Sequence, residues 1–469
     1  MTSLHDYSLD DRYAKDEGRV FLTGIQALAR VPMEQLRIDA ARGLNTAAFV
    51  SGYQGSPLGG FDQEMARAIK RVPELSIVCR PGVNEELAAT AVMGSQVAPT
   101  LAGSRYDGVI GFWYGKAPGV DRASDAIRHA VYAGSHPVGG AVALVGDDPA
   151  CKSSTLPSSS DMTMMNLKMP VLYPGDVQDI LDLGRHAIAL ARYTSLWTGF
   201  KIVTAVADGS GTVDLSLDRV MPVLPTDGVG GAADRSFVPS ANLITPFTNE
   251  RERDINEAGL VLARRYSAAN DLNRVVNNPL SPWLGLVASG YTYRELLQAL
   301  RRLGFDGLEA LDDAGIRLLR VDMPYPLAPE PIRQFARGLQ AVVVIEEKGP
   351  ALEWMIKDVL YDMVTRPAMV TTDDDDRPLF PRHGFLAADQ MVDGLRTVLE
   401  PRLGDRLVPE PAKPREKVLI PLTTQRSPYF CSGCPHNWGT KVPEDSLVGA
   451  GIGCSGMALL MDGDTVGDI

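Results

Sequence analysis

Thr46-Ala47-Ala48-Phe49-Val50-Ser51-Gly52-Tyr53-Gln54-Gly55-Ser56-Pro57-Leu58-Gly59-Gly60-Phe61-Asp62 begins as a short apolar run and turns into a glycine-rich loop. Residues 46–50 read as a buried strand, residues 51–62 as the loop, and residues 62–71 as the helix that follows. A strand that opens into such a loop and then a helix is where α/β proteins take ligands, outside the carboxyl ends of parallel strands. A merely tight βα turn is the plain alternative. Ser, Tyr, Gln and Asp interleaved with the glycines favour a binding loop.

The same rhythm extends outward. Residues 20–42 have helical apolar spacing, with an interruption expected at Pro32. Residues 75–79, 108–113, 141–145, 171–174 and 201–206 read as further strands, and Asn84 is placed to cap a helix that starts at Glu85. Residues 114–122 read as a loop. Short apolar strands alternating with helices predict a mostly parallel sheet covered on both faces, so residues 20–215 form one doubly wound α/β domain behind an N-terminal arm, 1–19. Prolines and glycines mark residues 216–282 as a linker carrying a charged helix over 249–276. A second α/β pattern of three strand–helix units occupies 283–400. Residues 401–428, with four prolines between 401 and 414, form another linker, and 429–469 stand apart as a cysteine-bearing segment. The run Asp373–Asp376 reads as a solvated loop.

At 469 residues the chain has room for two or three domains, each with its own core. A net charge of −12 supplies no basic field for nucleic acid. It leaves open a phosphate-bearing cofactor held by backbone N–H groups and a metal. No segment approaches eighteen continuous apolar residues, which argues against a membrane span. The N-terminus lacks a basic region followed by an apolar one, and few clustered cysteines suit a reducing cytoplasm.

Three of the five cysteines lie close together near the end, in Cys431-Ser432-Gly433-Cys434-Pro435-His436 and Gly451-Ile452-Gly453-Cys454. A C-x-x-C turn brings two sulfurs together for a metal or a disulfide. The third points towards a metal or cluster, yet an iron–sulfur cluster or structural zinc usually takes four ligands.

Read together, SGYQGSPLGGFD (51–62), NEELAATAV (84–92) and CSGCPH…GIGC (431–436 and 451–454) resemble the indolepyruvate:ferredoxin oxidoreductases, a branch of the thiamine-diphosphate-dependent 2-oxoacid:ferredoxin oxidoreductases. Residues 286–290, Met323-Pro324-Tyr325-Pro326-Leu327 and Ile345-Glu346-Glu347 resemble that family's transketolase C-terminal-like domain. The resemblance implies three parts: a pyrimidine-side thiamine-binding domain, the transketolase C-terminal-like domain, and the start of a diphosphate-side domain. It implies oxidative decarboxylation of a 2-oxoacid, indolepyruvate or another arylpyruvate, with transfer of the acyl group to coenzyme A and of electrons to ferredoxin. The cofactors implied are thiamine diphosphate, Mg2+ and a [4Fe–4S] cluster.

By the same resemblance Glu85 is the acid that hydrogen-bonds the aminopyrimidine, with Glu86 as its neighbour and alternative. Ser56 faces the substrate carboxylate, with Tyr53 and Gln54 beside it. Lys116 and Arg122 meet a carboxylate or coenzyme A phosphates. Gly55, and Asp147 and Asp148 in the loop Gly146-Asp147-Asp148-Pro149 with Lys152-Ser153-Ser154-Thr155, lie near cofactor and substrate. His436 sits at the diphosphate end, and Cys431, Cys434 and Cys454 match three of four cluster thiolates. The fourth cysteine and the G-D-G…N metal motif have no counterpart in this sequence, so it is expected to be the front part of a longer enzyme. That enzyme would be a homo-oligomer, completed by a further portion or a separate subunit, and the chain alone is expected to be inactive. Four other readings stay open: a non-catalytic fragment, a subunit of a pyruvate or other 2-oxoacid ferredoxin oxidoreductase that needs a separate partner chain, a zinc or thiol–disulfide site, and a transketolase-like enzyme without ferredoxin.

Overall fold

The computed structural model describes residues 8–226, 230, 231, 233–409, 427–441, 443, 449, 451 and 453–461. Among them the strands are β1 (Gly18–Thr23), β2 (Thr46–Gly52), β3 (Ile77–Cys79), β4 (Gly108–Lys116), β5 (Ala141–Asp147), β6 (Val171–Leu172), β7 (Thr198–Val203), β8 (Ser210–Leu215), β9 (Asn273–Val275), β10 (Leu284–Ser289), β11 (Ile316–Val321), β12 (Ala341–Ile345) and β13 (Ala368–Met369). Six of them make a parallel sheet in the order β3-β2-β4-β5-β7-β6. β1 and β8 pair antiparallel as a separate ribbon.

The core of this sheet follows from the strand period of two. Val50, Ile110, Phe112, Tyr114, Val142, Leu144 and Phe200 point to one face, where they pack against the helices Gly24–Ala41 and Val177–Thr194. Trp113, Ala141, Ala143 and Val145 point to the other, against Glu85–Val97 and Ala117–Ala133. Burial on both faces is why these strands are continuously apolar, and each fully buried large side chain contributes about 1.5–3 kcal/mol.

The second sheet has the order β13-β12-β10-β11-β9, parallel except for β9 against β11. Its two faces bury Leu286, Leu318 and Val343 on one side and Val287, Leu319 and Val344 on the other. The two sheets meet through the backbone, Val171 N–H donating to Tyr325 O at 2.7 Å and Tyr173 N–H to Asp322 O at 3.0 Å. Ion pairs reinforce the contact, with Arg320 Nη2 2.8 Å from Asp179 Oδ1 and Arg294 Nη2 2.5 Å from Asp176 Oδ2.

Several local expectations are corrected. Pro32 lies inside an unbroken helix, Gly24–Ala41. A capping box between Thr23 and Gln26 fixes its start, and burial of Leu28, Val31, Met33 and Leu36 offsets the missing N–H. Residues 114–122 are not a loop, since β4 runs to Lys116 and a helix begins at Ala117 with Pro118 in its first turn, a position that suits proline. The helical stretch after 247 has a π-helical segment, Ile255–Gly259, and ends at Ala269. The second sheet begins at Asn273, ahead of the expected 283, because β9 pairs with β11. The helix Ala388–Leu403 likewise runs through Pro401.

Residues 409–469 form a second compact unit. Within it Phe430 and Ala458 share a small apolar cluster with Cys434, Met457 and Met461. No helix among the described residues is long and apolar enough to cross a membrane.

Candidate functional site

The chain runs from β2 outward to β3, then crosses back to β4 on the other side of β2. The sheet therefore reverses its winding between β2 and β4, and in open α/β sheets this reversal opens a crevice at the carboxyl ends of the strands. The loop after β2, the end of β4 and the helix that starts at Glu85 all border it.

Glu85 is the first residue of the helix Glu85–Val97, and three features hold it. The Asn84 side chain caps the helix by accepting from Leu87 N–H at 2.9 Å. The buried Trp113 indole on β4 donates to Glu85 O at 3.0 Å. Gly119, in the next helix, lies so close that a Cβ there would stand 2.9 Å from Glu85 Cγ and 3.0 Å from Oε1. The Glu85 side chain is 8% exposed, and its nearest charged partner is Arg122, whose Nε is 4.0 Å from Oε2 and 3.8 Å from Glu86 Oε1. None of the described residues donates a hydrogen bond to this carboxylate. It is a nearly buried acceptor at the positive end of a 13-residue helix.

The glycine-rich loop closes over the same end of the sheet. Gly55 packs on the Lys116 side chain, 2.9 Å from Cδ to an ideal Cβ, and Pro57 and Leu58 lie over Gly146 at the end of β5. Ser56 and Lys116 are half-buried, Tyr53 and Gln54 are exposed, and Arg122 is 58% exposed. The structure thus brings Gly55, Ser56, Lys116, Glu85 and Arg122 to one edge.

Asp147 and Asp148 are placed differently. Both are buried; Asp148 is fully engaged within the fold, whereas Asp147 Oδ1 has no hydrogen-bond partner among the described residues. Asp147 Oδ2 accepts from Ser160 N–H at 3.1 Å and stands 3.7 Å from Lys201 Nζ. Burial pushes its pKa up to about 6, against the pull of Lys201. Asp148 takes the N–H groups of Lys152, Ser153 and Ser154, each at 2.9 Å. Burial would raise its pKa, but those donors outweigh it and hold the carboxyl below its usual range.

Buried Lys201 and Tyr173, with the half-buried Asp161 and Glu346, form a polar group that reading the sequence missed. The signal was present: Lys201 sits in a strand whose every residue is buried. Glu346 receives Leu352 N–H at 2.8 Å and Glu353 N–H at 3.2 Å, and burial pushes its pKa up to about 8. Between pH 4.5 and 8 the unfolded chain has lost this proton while the folded chain keeps it, so stability falls as pH rises through that window and levels off above it. Glu346→Gln is expected to flatten the curve of Tm against pH between 5 and 8 and to raise Tm at pH 8.5 by roughly 2–5 °C. An unchanged slope in thermal unfolding across that range would rule this out.

In the second unit, Cys431 and Cys434 lie in a turn, Cys434 N–H donating to Cys431 O at 3.0 Å, with Gly433 at φ 76°. His436 begins the four-residue helix that follows. Cys431 and Cys454 are exposed, and Cys434 packs against the cluster around Phe430. Among the described residues no three His, Cys, Asp or Glu gather as metal ligands. A [4Fe–4S] cluster usually takes four thiolates, so these three cysteines supply at most part of such a ligand set. Glu85 does fit a thiamine aminopyrimidine: it is an enclosed acceptor with no donor of its own.

Residues 274–406 match the family model described as the indolepyruvate oxidoreductase domain. The indolepyruvate oxidoreductase subunit IorA of Methanothermobacter marburgensis is 26% identical over 436 residues, which are 91% of this chain and 61% of that relative. Its counterpart from Pyrococcus abyssi is 22% identical, over 93% of this chain and 60% of that relative. The chain thus spans about three fifths of the length of these curated relatives. Among solved structures, a 2-oxoglutarate:ferredoxin oxidoreductase from Magnetococcus marinus with 2-oxoglutarate, coenzyme A and succinyl-CoA bound is similar at a TM-score of 0.55 and 14% identity, covering 81% of this chain and 65% of that one. This likeness concerns the fold. The resemblance to indolepyruvate:ferredoxin oxidoreductases and the expected α/β fold class are borne out.

Proposed function

We propose that the chain is the pyrimidine-side part of a 2-oxoacid:ferredoxin oxidoreductase acting on indolepyruvate or another arylpyruvate. The overall reaction consumes the 2-oxoacid anion, coenzyme A and two oxidised ferredoxins. It yields acyl-CoA, CO2, two reduced ferredoxins and one proton. In this reading residues 20–215 form the pyrimidine-side domain, 283–400 the transketolase C-terminal-like domain, and 429–469 the start of the diphosphate-side domain. The rest of the relatives' length, fused or as a separate subunit, completes the enzyme as a homo-oligomer in the cytoplasm.

The observation that carries the reading is Glu85: nearly buried, wedged against Gly119, at a capped helix start beside the crevice. Thiamine diphosphate supplies the carbanion chemistry when bound. Glu85 would hydrogen-bond the aminopyrimidine and keep its proton in the tautomer that activates the cofactor. Ser56, with Tyr53 next to it, would face the substrate carboxylate. Lys116 would neutralise that carboxylate from the end of β4, and Arg122, more exposed, suits a coenzyme A phosphate. Gly55 lets the loop approach closely. His436 would meet the diphosphate end, and the diphosphate's Mg2+ would be held by the remainder of the enzyme. Cys431, Cys434 and Cys454 would supply part of the ligand set of an iron–sulfur cluster.

The test is viologen reduction by the assembled enzyme with indolepyruvate, phenylpyruvate and pyruvate, with and without thiamine diphosphate and coenzyme A. The reading expects reduction that requires both cofactors and is fastest with an aromatic 2-oxoacid. Turnover that survives removal of thiamine diphosphate would end it.

A further inference from the structure

A lysine ammonium inside a parallel sheet calls for an explanation. Lys201 is 5% exposed, and every other residue of β7 is buried too. An ammonium taken out of water needs counter-charges, and a buried ion pair is seldom the most stabilising way to fill a core. Such a group is better understood by what it holds in place.

What Lys201 holds is the neck of one loop. In the sheet it stands beside Val145 of β5, two residues before that strand ends at Asp147. Its side chain reaches the carboxyl edge, with Nζ 2.5 Å from Asp161 Oδ2, 3.7 Å from Asp147 Oδ2 and 4.7 Å from the centroid of the Tyr173 ring. Asp147 is the last residue before the 148–160 loop, and Asp161 is the first residue after it. One cation therefore grips both ends. Ser160 N–H donates to Asp147 Oδ2 at 3.1 Å and closes the neck, and Ser159 Oγ donates to Asp161 Oδ2 at 2.7 Å. Within the loop the Asp148 carboxylate gathers three backbone N–H groups. The second sheet adds a separate tie: Lys348, just past β12 and at φ 75°, donates from Nζ to Pro149 O.

We infer that Lys201 is a positioning residue that fixes the 148–160 loop at the crevice edge, and that Lys348 makes the position of this loop depend on the second α/β layer. The loop arises at the end of β5, over which Pro57 and Leu58 of the glycine-rich loop lie. Its setting therefore bears on the shape of the crevice, and its effect on turnover rests on the function proposed above.

Amide hydrogen exchange on the assembled enzyme tests the placement, with Lys201→Met, Lys201→Arg and Lys348→Met compared with the parent. Lys348 is partly exposed, so Lys348→Met keeps the question answerable even where Lys201→Met folds poorly. The expected result is at least tenfold faster exchange over 148–160 in Lys348→Met and Lys201→Met, unchanged exchange in β5 and β7 of Lys348→Met, and recovery to within about threefold in Lys201→Arg. Unchanged exchange over 148–160 in Lys348→Met, or acceleration spread evenly over the sheet, overturns the inference. Kinetics on the same variants separate it from the function: a severalfold rise in KM for the 2-oxoacid or coenzyme A, with kcat within twofold, is expected. Faster loop exchange with unmoved kinetics would keep the positioning role and count against the assigned site.

Discussion

Glu85→Gln is expected to lower oxidation of the 2-oxoacid by about 10²–10⁴-fold in the assembled enzyme, the range for loss of a positioned acid–base group. Glutamine matches glutamate in size, so the wedge against Gly119 and the Asn84 cap stay intact. What it loses is the carboxylate that an aminopyrimidine would meet. The loss should appear in kcat, and Glu86→Gln, one residue on and pointing about a hundred degrees away around the helix, should cost less than tenfold. Gly119→Ala supports the argument from the other side. A Cβ 2.9–3.0 Å from the Glu85 side chain must push it aside, and a loss of about tenfold or more is expected without any change in charge. Viologen-coupled rates check all three. Equal activity of Glu85→Gln and the parent would remove Glu85 from the mechanism.

The second large effect concerns the join between the two sheets. Arg320, on β11, places Nη2 2.8 Å from Asp179 Oδ1 and Nε 2.7 Å from Asp322 Oδ1. Asp322 is buried, and burial raises its pKa against the pull of Arg320 and Arg274. For Asp179 burial also opposes ionisation, but Arg320 and Arg294 outweigh it and hold the carboxyl below its usual range. Arg320→Met removes the cation and leaves two buried carboxylates with less compensation. Breaking a buried pair from one side costs about 3–5 kcal/mol, or a fall in Tm of roughly 3–6 °C for a unit of this size. Asp179→Asn added to Arg320→Met should recover part of that loss, because one stranded charge is gone. A fall in Tm below about 2 °C in thermal unfolding would mean the join does not depend on this pair.

Much of the first sheet was legible, for a physical reason. A strand buried on both faces must be apolar throughout, and a helix start must satisfy its N–H groups, so β2, the glycine-rich loop and Asn84 announce themselves locally. Prolines misled because their effect depends on what packs around them. Pro32 is overridden by a buried helix face, and Pro118 begins a helix where a loop was expected. The pairing of Lys201 with Asp161 joins residues forty apart through the sheet order, which no local pattern encodes. Asp147 and Asp148 were visible as a loop, but not that their carboxylates face inward. Cys431 and Cys434 were legible as a turn. The expected linker and segment at 410–426, 442, 444–448, 450, 452 and 462–469 lie outside the described residues.

The ribbon of β1 and β8 carries a consequence for how this molecule can be rearranged. Gly18 pairs with Leu215 and Thr23 with Ser210, so the chain enters and leaves the six-stranded layer side by side. A short peptide could join those two points, and new termini could be opened in a surface turn such as 101–107 without severing a strand of the sheet. The two ends of the layer are thus neighbours, which suits it to circular permutation, while its core still draws on Leu262, Ala263, Tyr266 and Met323 from beyond the ribbon.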